Sequence, residues 1–388
     1  MKMCRVRLTA LLPTFAGLLL LPSFATAAPL IAGVDGTVAN GRSVKITGSG
    51  FGQHPDYNGN KDFLVRVWDN IEAGKVDSSM LVSGSGPELV VGGPNQRANS
   101  EYCGKGYRYA TPHTYTSITG ESKTTADAYQ IGHYTSGRKV VFISGWFLFP
   151  VGFGEGITYQ EGDRDQSKFL MISPPDDQPK TYFSVSAWYE QTGILRFVTE
   201  EGLIGVNYDT VQNLVGEGNW ARFDIFSDIS GIYTGGRHRA RFYINGKLGM
   251  SREYDESFCS GYPSLDGRGC VQDFTKFLWL GYFFAGDDTQ TWPIYVDDMF
   301  MDFTQARVEL SERATWDETV QTHKELQIPT AWSSTSITFR VNMGAFQEGQ
   351  QAYLYVVDQN GSVNAQGYPV RGSDAISAPK GLQVREQP

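Results

Sequence analysis

Short runs in which apolar and polar residues alternate dominate the chain, and segments rich in Gly, Asn, Asp and Pro separate them. Alternation with a period of two is typical of strands with one buried face. One short helix is predicted near residues 304–312, and no long run has the period of an amphipathic helix. The pattern therefore predicts an all-β protein built from β-sandwiches.

The alternating pattern that predicts strands is clearest between residues 139 and 303. We predict them at residues 139–149, 168–173, 181–188, 193–199, 220–226, 237–244, 274–284 and 292–303. The successive strings "VVFISGWFLFP", "NWARFDIFSD", "RARFYINGKL" and "IYVDDMFM" resemble the concanavalin A-like lectin and glucanase jelly roll, a fold that several polysaccharide lyases also use. This resemblance implies one large jelly-roll sandwich over residues 95–312, and it concerns the fold and not an activity.

The two ends of the chain resemble complementary halves of another domain. The string "ITGSGFG" and the strand that ends at Trp68 are similar to the first half of a TIG-type immunoglobulin-like domain. Strands around Trp332 and in residues 352–358 are similar to its second half. We predict one small, discontinuous immunoglobulin-like β-sandwich formed by residues 28–78 and 313–372, with the jelly roll inserted in it and a loose tail at residues 373–388. Two separate small domains are the alternative.

Residues 1–27 have the features of a signal peptide: three basic residues, an apolar stretch and an Ala-x-Ala site. The alternative, an uncleaved anchor, conflicts with Pro13 and Pro22, which interrupt the apolar stretch. No later segment is long and apolar enough to be predicted as a transmembrane segment. We therefore expect a secreted protein, extracellular or periplasmic, that begins at Ala28.

Charge and cysteine content narrow the class of protein. The chain of 388 residues has a formal charge of −9, and the predicted leader accounts for three of its basic residues and no acidic one. A nucleic-acid partner is therefore not expected. In an oxidising compartment Cys259 and Cys270 are predicted to form a disulfide across a turn-rich segment, which leaves Cys103 as a buried free thiol.

An arginine-rich strand is the principal candidate for ligand binding. Alternation places Arg237, Arg239, Arg241 and Tyr243 on one face of the strand over residues 237–244. Arginines in a row can hold the carboxylates of an acidic sugar. We predict that Arg239, Arg241 and Tyr243 bind carbohydrate on the concave sheet. The alternative is a solvent-facing strand whose arginines pair with carboxylates.

Further candidates lie on other strands. Lys168 is predicted to lie near the arginines, with Arg196 on a strand of the same sheet. Trp188 is predicted to stack on a sugar ring, and the alternative is an ordinary position in the core. The segment "QIGHY" is similar to the Gln-Ile-His strand of alginate lyases, but its extra Gly132 shifts His133 to the other face of the strand.

Catalysis and metal binding have weaker candidates. A lyase needs a base beside a uronate carboxylate, and Tyr243 is the candidate. The paired carboxylates of a retaining glycosidase are not matched by "EYDE" at residues 253–256, because the spacing separates Asp255 and Glu256 onto opposite faces of a strand. Calcium is considered at a loop with oxygen side chains at alternate positions, namely Asp56, Asn58, Asn60 and Asp62.

These observations predict a secreted protein that binds polysaccharide, with acidic glycans favoured by the arginines. One alternative is a polysaccharide lyase that acts on uronate-containing glycans. Another is a non-catalytic envelope or surface assembly protein, and a protein partner would then bind through the TIG-like domain. The three functions predict different surfaces on the concave face of the jelly-roll sheet. A binding protein or a lyase would have exposed cations and aromatic residues there, and an assembly protein would have an apolar face covered by loops.

Overall fold

The computed structural model describes most of the chain after the predicted leader. The described residues are 27–55, 64–71, 81–83, 90–91, 104–106, 108–116, 122–128, 130–149, 151, 166–174, 183–188, 194–199, 204–216, 218–231, 234–254, 273–280, 283–284, 294–347 and 349–371. Within them the chain is nearly all β, with one four-residue helix, α1 (Val211–Leu214). In this part of the chain no helix is long and apolar enough to cross a membrane.

The strands are short and follow one another along the whole chain. In chain order they are β1 (Leu30–Asp35), β2 (Ser43–Ser49), β3 (Val67–Asp69), β4 (Leu81–Ser83), β5 (Val90–Val91), β6 (Gly104–Gly106), β7 (Arg108–Thr116), β8 (Ser122–Ala128), β9 (Gln130–Arg138), β10 (Val140–Leu148), β11 (Gln166–Ser173), β12 (Phe183–Trp188), β13 (Ile194–Thr199), β14 (Ile204–Thr210), β15 (Trp220–Asp228), β16 (His238–Ile244), β17 (Lys247–Tyr254), β18 (Phe274–Leu280), β19 (Phe283–Phe284), β20 (Ile294–Asp302), β21 (Arg307–Ser311), β22 (Lys324–Ser333), β23 (Ser336–Arg340), β24 (Gln351–Val357) and β25 (Tyr368–Arg371).

Two eight-stranded sheets form a large sandwich. The first sandwich sheet has the order β17-β16-β15-β10-β20-β6-β5, and β3 also pairs with β20. The second sandwich sheet has the order β14-β13-β12-β11-β18-β9-β4, and β19 also pairs with β11. Every strand predicted in residues 139–303 is present, with bounds that differ by a few residues.

The core of the sandwich lies between its two sheets. Phe147 and Phe223 from the first sheet pack with Phe277 and Trp279 from the second, and all four side chains are buried. The indole nitrogen of Trp279 donates a hydrogen bond to the carbonyl of Ser144, 2.5 Å away. A Cβ at Gly145 would lie 2.9 Å from the Trp279 ring, so the glycine permits this close approach.

The ends of the chain join in a seven-stranded sheet of order β1-β2-β23-β22-β21-β24-β25. Its long strand β22 pairs through its first half with β21 and through its second half with β23. The two halves enclose a second core that includes Val44, Phe339 and Leu354. Strands from residues 30–49 and 307–371 therefore share one unit, the seven-stranded unit, with the sandwich between them in sequence.

Two boundary predictions are wrong. Trp68 lies on β3, which pairs with β20 of the first sandwich sheet, so it does not share the sheet of Trp332. The helix predicted at residues 304–312 is instead the strand β21, which belongs to the seven-stranded sheet. Its alternate residues Val308 and Leu310 lie in the second core. The sequence of so short a segment is compatible with helix or strand, and pairing with β22 and β24 makes it a strand.

The seven-stranded unit covers the outer face of the first sandwich sheet, meaning the face turned away from the sandwich core. Phe142, Phe226 and Phe300 on that face pack with Leu326 and Ile328 of β22. The two units therefore share an apolar cluster at their interface.

Candidate functional site

The arginine strand, β16, has the two faces that its alternation predicts. Ala240, Phe242 and Ile244 lie in the sandwich core. The positions between them, those of Arg239, Arg241 and Tyr243, consequently belong to the outer face of the first sandwich sheet.

The cations of this strand are already paired. Arg239 forms an ion pair with Asp228, and its own side chain is 40% exposed. Burial alone would raise the pKa of Asp228, but hydrogen bonds from Ser230 and Arg239 hold it below its ordinary value. Arg237 lies 3.8 Å from Glu253 in a pair that is exposed on both sides. These ion pairs correspond to the alternative given for this strand from the sequence, in which its arginines pair with carboxylates of the protein.

Tyr243 is only 6% exposed, so its hydroxyl is not presented on an open surface. Burial raises its pKa, and the carboxylate of Glu318 raises it further. Burial opposes the charge of Arg241, yet its hydrogen bond with Tyr243 and the nearby Glu318 raise its pKa overall. Glu318 lies between β21 and β22, so the seven-stranded unit contributes to the surroundings of both side chains.

A buried ion cluster occupies the centre of the same outer face. Arg222 donates two hydrogen bonds of 2.8 Å to the carboxylate of Asp224 and lies 3.3 Å from Glu309 of β21. Arg307 bonds to the same oxygen of Glu309 at 2.5 Å. Burial opposes the ionised carboxylate, but these cations lower the pKa of Glu309 to about 2. The first sandwich sheet is therefore closed at its centre by a charge-paired interface.

Lys168 and Trp188 lie on the second sandwich sheet, so the prediction that they accompany the arginines of β16 is wrong. They are nevertheless close to one another in register. Lys168 of β11 lies opposite Ser186 of β12. Ser186 lies opposite Arg196 of β13, and Arg196 lies opposite Asn207 of β14. Directly opposed positions share one face of an antiparallel sheet.

In the neighbouring row Trp188 lies opposite Gln166. Trp188 is two residues after Ser186 on β12, so its row belongs to the same face of the sheet as Ser186. The register thus brings together Lys168, Trp188 and Arg196, which the sequence could place only on separate strands.

The segment "QIGHY" lies on β9 of the second sandwich sheet. His133 is buried and lies opposite Phe277, whose side chain is in the sandwich core. His133 therefore faces the sandwich core and not the outer face of the sheet. A Cβ at Gly132 would lie 2.3 Å from the Leu278 side chain, so a larger residue does not fit there without displacing that side chain.

The next residue, Tyr134, is on the outer face of the second sandwich sheet and is 43% exposed. It lies opposite Lys276, whose Nζ is 5.6 Å from the centre of the tyrosine ring. Ser173 continues the row on β11. Tyr134 and Lys276 are not among the site residues predicted from the sequence, although alternation along β9 places Tyr134 outward when His133 faces inward.

An apolar strip separates the two polar rows of this face. Met171 and Leu278 lie opposite one another between them, and both are buried. The outer face of the second sandwich sheet thus carries Tyr134 and Lys276 on one side of the strip and the row of Lys168 and Arg196 on the other. An aromatic ring beside an ammonium group is suited to a sugar that bears a carboxylate.

Several predicted features lie outside the described residues. They are the signal peptide up to residue 26, the cysteines Cys103, Cys259 and Cys270, and the calcium candidates Asp56, Asn58, Asn60 and Asp62. Across the ranges that the structure does describe, no three His, Cys, Asp or Glu side chains are grouped so that they could hold a metal ion.

The chain matches no protein-family model and no curated protein sequence. Solved structures with a similar fold include a cellulose-induced protein, at 12% identity and a TM-score of 0.38, over 62% of this chain and 98% of that one. An alginate lyase in complex with an alginate trisaccharide matches at 11% identity and a TM-score of 0.34, over 58% and 98% of the two chains. The laminarinase catalytic domain of Thermotoga maritima matches at 12% identity and a TM-score of 0.37, over 62% and 98%. Matches of this extent assign no activity to this chain.

Proposed function

We propose that this protein binds polysaccharide on the outer face of the second sandwich sheet, and that its ligand is an acidic, uronate-containing chain. The observation that carries the proposal is the pair of Tyr134 and Lys276, an exposed aromatic ring with an ammonium group held beside it on the neighbouring strand. The ring offers a stacking surface for a sugar, and the ammonium group offers a charge for a carboxylate.

The register of the sheet supports this position. Lys168, Ser186, Arg196 and Asn207 form a row across four strands, and the adjacent row adds Trp188. Both rows and Tyr134 belong to one face, so cations and aromatic residues recur on the two sides of the buried strip of Met171 and Leu278. A polymer with a carboxylate on each sugar is a ligand that such a repeated arrangement suits.

The outer face of the first sandwich sheet is the competing position. Arg239 and Arg241 lie there, with one edge of the face open to solvent. Arg239 is paired there with Asp228, and Tyr243 is buried. A carboxylate ligand would have to displace a carboxylate of the protein before it reached Arg239.

Binding to alginate and to the neutral glucan laminarin, measured in parallel by calorimetry with and without calcium, tests the proposal. Lys276→Ala is expected to weaken alginate binding by about tenfold to a hundredfold, since a hydrogen bond to a charged group contributes about 1.5 to 3 kcal/mol. Lys45→Ala is the matched control, because Lys45 is an exposed lysine on β2 of the seven-stranded unit. Equal alginate affinity of Lys276→Ala and the wild type would refute this site.

A lyase reaction is the second candidate, and the same pair favours it. The Tyr134 phenolate would remove the proton at C5 of a uronate while Lys276 neutralises the carboxylate. The electron pair of that C–H bond would form the C4=C5 double bond as the C4–O bond breaks, and Tyr134 would return the removed proton to the leaving oxygen. Tyr134→Phe is expected to abolish unsaturated uronate products and to retain alginate binding. Product formation that persists in this variant would exclude Tyr134 as the base.

We further propose that the protein is secreted and that the seven-stranded unit, which resembles a TIG-type domain, is a spacer or a protein-binding module. The predicted signal peptide supports secretion. N-terminal sequencing of the protein expressed with its leader is expected to begin at Ala28. Recovery of the full-length chain in the membrane fraction would instead support an uncleaved anchor. Failure to bind any glycan, with capture of a second protein by the seven-stranded unit, would favour an assembly role.

A further inference from the structure

We propose that Asn245 is a concealed modification site, which loses its side-chain nitrogen as ammonia when the seven-stranded unit separates from the first sandwich sheet. Asn245 and Gly246 form the two-residue turn between β16 and β17, where Ile244 pairs with Lys247. Both turn residues have positive φ angles, 47° at Asn245 and 71° at Gly246, as a tight Asn-Gly hairpin turn requires. The inference concerns the interface between the two units and does not depend on glycan binding.

An Asn-Gly sequence permits a reaction of the chain with itself. The backbone nitrogen of the glycine can attack Cγ of the asparagine, because glycine has no Cβ to hinder the approach. A bond forms from that nitrogen to Cγ, the bond from Cγ to Nδ2 breaks, and Nδ2 leaves as ammonia with the proton of the glycine nitrogen. Water then opens the cyclic imide at either carbonyl and yields aspartate or isoaspartate. The first step requires an asparagine side chain that can turn towards the glycine nitrogen.

Both ends of the Asn245 amide are bonded to groups other than Gly246. Its Oδ1 accepts a hydrogen bond from the backbone nitrogen of Arg222, 2.8 Å away, and so takes the place of a strand carbonyl at the end of the pairing between β15 and β16. Its Nδ2 donates to Oε1 of Gln321 at 3.1 Å. Attack on Cγ requires these bonds to open, so the folded turn resists the reaction.

The seven-stranded unit supplies much of this restraint through the segment that contains Gln321. The backbone nitrogen of Thr322 donates to the carbonyl of Asn245 at 2.8 Å. The side chain of Lys324 lies across the turn, since a Cβ at Gly246 would be 3.0 Å from its Cδ. Separation of the units would remove these contacts and leave the turn with its bonds to Arg222 within the sandwich.

A second Asn-Gly pair, Asn40 and Gly41, is held entirely within the seven-stranded unit. Oδ1 of Asn40 accepts a hydrogen bond from the backbone nitrogen of Met343 at 3.1 Å. The nitrogen of Gly41 donates to the carbonyl of Val341 at 2.8 Å. Both bonds persist when the units separate, and they are lost when the seven-stranded unit unfolds. Asn40 therefore distinguishes separation from unfolding.

A third pair, Asn360 and Gly361, lies in an exposed turn. Within the described ranges the side-chain amide of Asn360 has no hydrogen-bond partner. The nitrogen of Gly361 donates to the carbonyl of Asp358 at 3.0 Å, a local bond of the same turn. Asn360 is therefore expected to react in the folded protein. The remaining pair, Asn58 and Gly59, lies outside the described residues.

The test incubates the full chain in mildly alkaline buffer and follows each asparagine by mass spectrometry after digestion with trypsin. The three sites fall on separate peptides, which end at Arg42, Lys247 and Arg371. In the wild type we expect Asn360 to react. We expect Asn245 and Asn40 to react at least about a hundredfold more slowly than in the urea-unfolded chain, because a closed site reacts only while it is open.

Two substitutions test whether the interface conceals Asn245. Glu309→Gln weakens the buried ion cluster that joins the units, so it is expected to speed the reaction of Asn245 by about tenfold and to leave that of Asn40 unchanged. Gln321→Ala removes the acceptor of Nδ2 and is expected to speed it by about twofold to tenfold, the effect of losing one hydrogen bond. Glu253→Gln is the matched control, because this carboxylate is exposed on the sandwich.

Reaction of Asn245 in the wild type at the rate of Asn360 would overturn the proposal, since the turn would then be open in the folded protein. A rise at Asn245 alone in Glu309→Gln supports it. If Asn40 rises as well, that variant has unfolded the seven-stranded unit, and Gln321→Ala, which leaves the ion cluster intact, gives the answer. Absence of a rise at Asn245 in Gln321→Ala would then refute the concealment, as would absence of a rise in both variants.

Discussion

Arg222 of the first sandwich sheet and Glu309 of the seven-stranded sheet meet across the interface between the two units, with Nη2 and Oε1 3.3 Å apart. Both side chains are almost completely buried, and Asp224 and Arg307 complete the cluster. Buried ions are tolerated only where every charge has partners. The cluster therefore holds the two units in one relative position, which closes the centre of that face to a ligand.

Removal of one charge from this cluster is expected to destabilise the fold. Glu309→Gln should lower the free energy of unfolding by about 3 kcal/mol, because Arg222 and Arg307 then lose the charge that compensates their burial. Urea denaturation followed by tryptophan fluorescence measures the change. Glu253→Gln is the control, since its pair with Arg237 is exposed and should contribute less than about 1 kcal/mol. Similar effects of the two substitutions would contradict this account of the interface.

The stability of the interface is expected to increase in alkaline solution through Lys324. Burial lowers the pKa of this lysine from 10.5 to about 8, against the attraction of Glu309. Between these two values the unfolded chain binds a proton at Lys324 that the folded chain does not, so stability rises with pH over this range. Arg222, Arg307 and Glu318 also act on this amine.

The difference between the wild type and Lys324→Met, measured as the free energy of unfolding from pH 8 to pH 10.5, isolates this contribution from that of other titrating groups. The wild type should gain stability relative to the variant as the pH rises. A difference that stays constant over this range would show that the amine is not perturbed in the folded protein.

Substitution of the arginine face distinguishes the two positions for the ligand. Arg239→Ala with Arg241→Ala is expected to bind alginate as the wild type does, because Arg239 is neutralised by Asp228 and Arg241 is half-buried beside Tyr243. The same titration is run on Lys276→Ala. Loss of binding in the double arginine variant, with normal binding by Lys276→Ala, would move the site to β16.

The three cysteines that follow the predicted leader are expected to form one disulfide and one free thiol. Cys259 and Cys270 should be linked, because the short, turn-rich segment between them brings its ends together at little entropic cost. Cys103 should react with a thiol reagent only after denaturation. Peptide mapping under non-reducing conditions checks the linkage, and a peptide that joins Cys103 to either of the others would contradict it.

The periodicity of the chain predicts the strands well. Arg239 and Phe242 fall on opposite faces of β16 because each strand turns successive side chains to opposite sides, and this holds whatever the partner strands are. The same local rule places His133 and Tyr134 on opposite faces of β9. The all-β class and the jelly-roll strands follow in the same way, since apolar residues at alternate positions need a second sheet to cover them.

Strand pairing decides what the local pattern leaves open. Lys168, Ser186 and Arg196 become one row only through the register of three strands. Trp68 belongs to the sandwich because β3 pairs with β20. Residues 307–311 form a strand because β22 and β24 pair with them on either side. In the sequence Arg222 is an ordinary polar residue of a strand. In the structure its charge is buried and is compensated by Glu309, which is 87 residues away along the chain. Such contacts depend on which faces meet across sheets, and no local period in the chain encodes that.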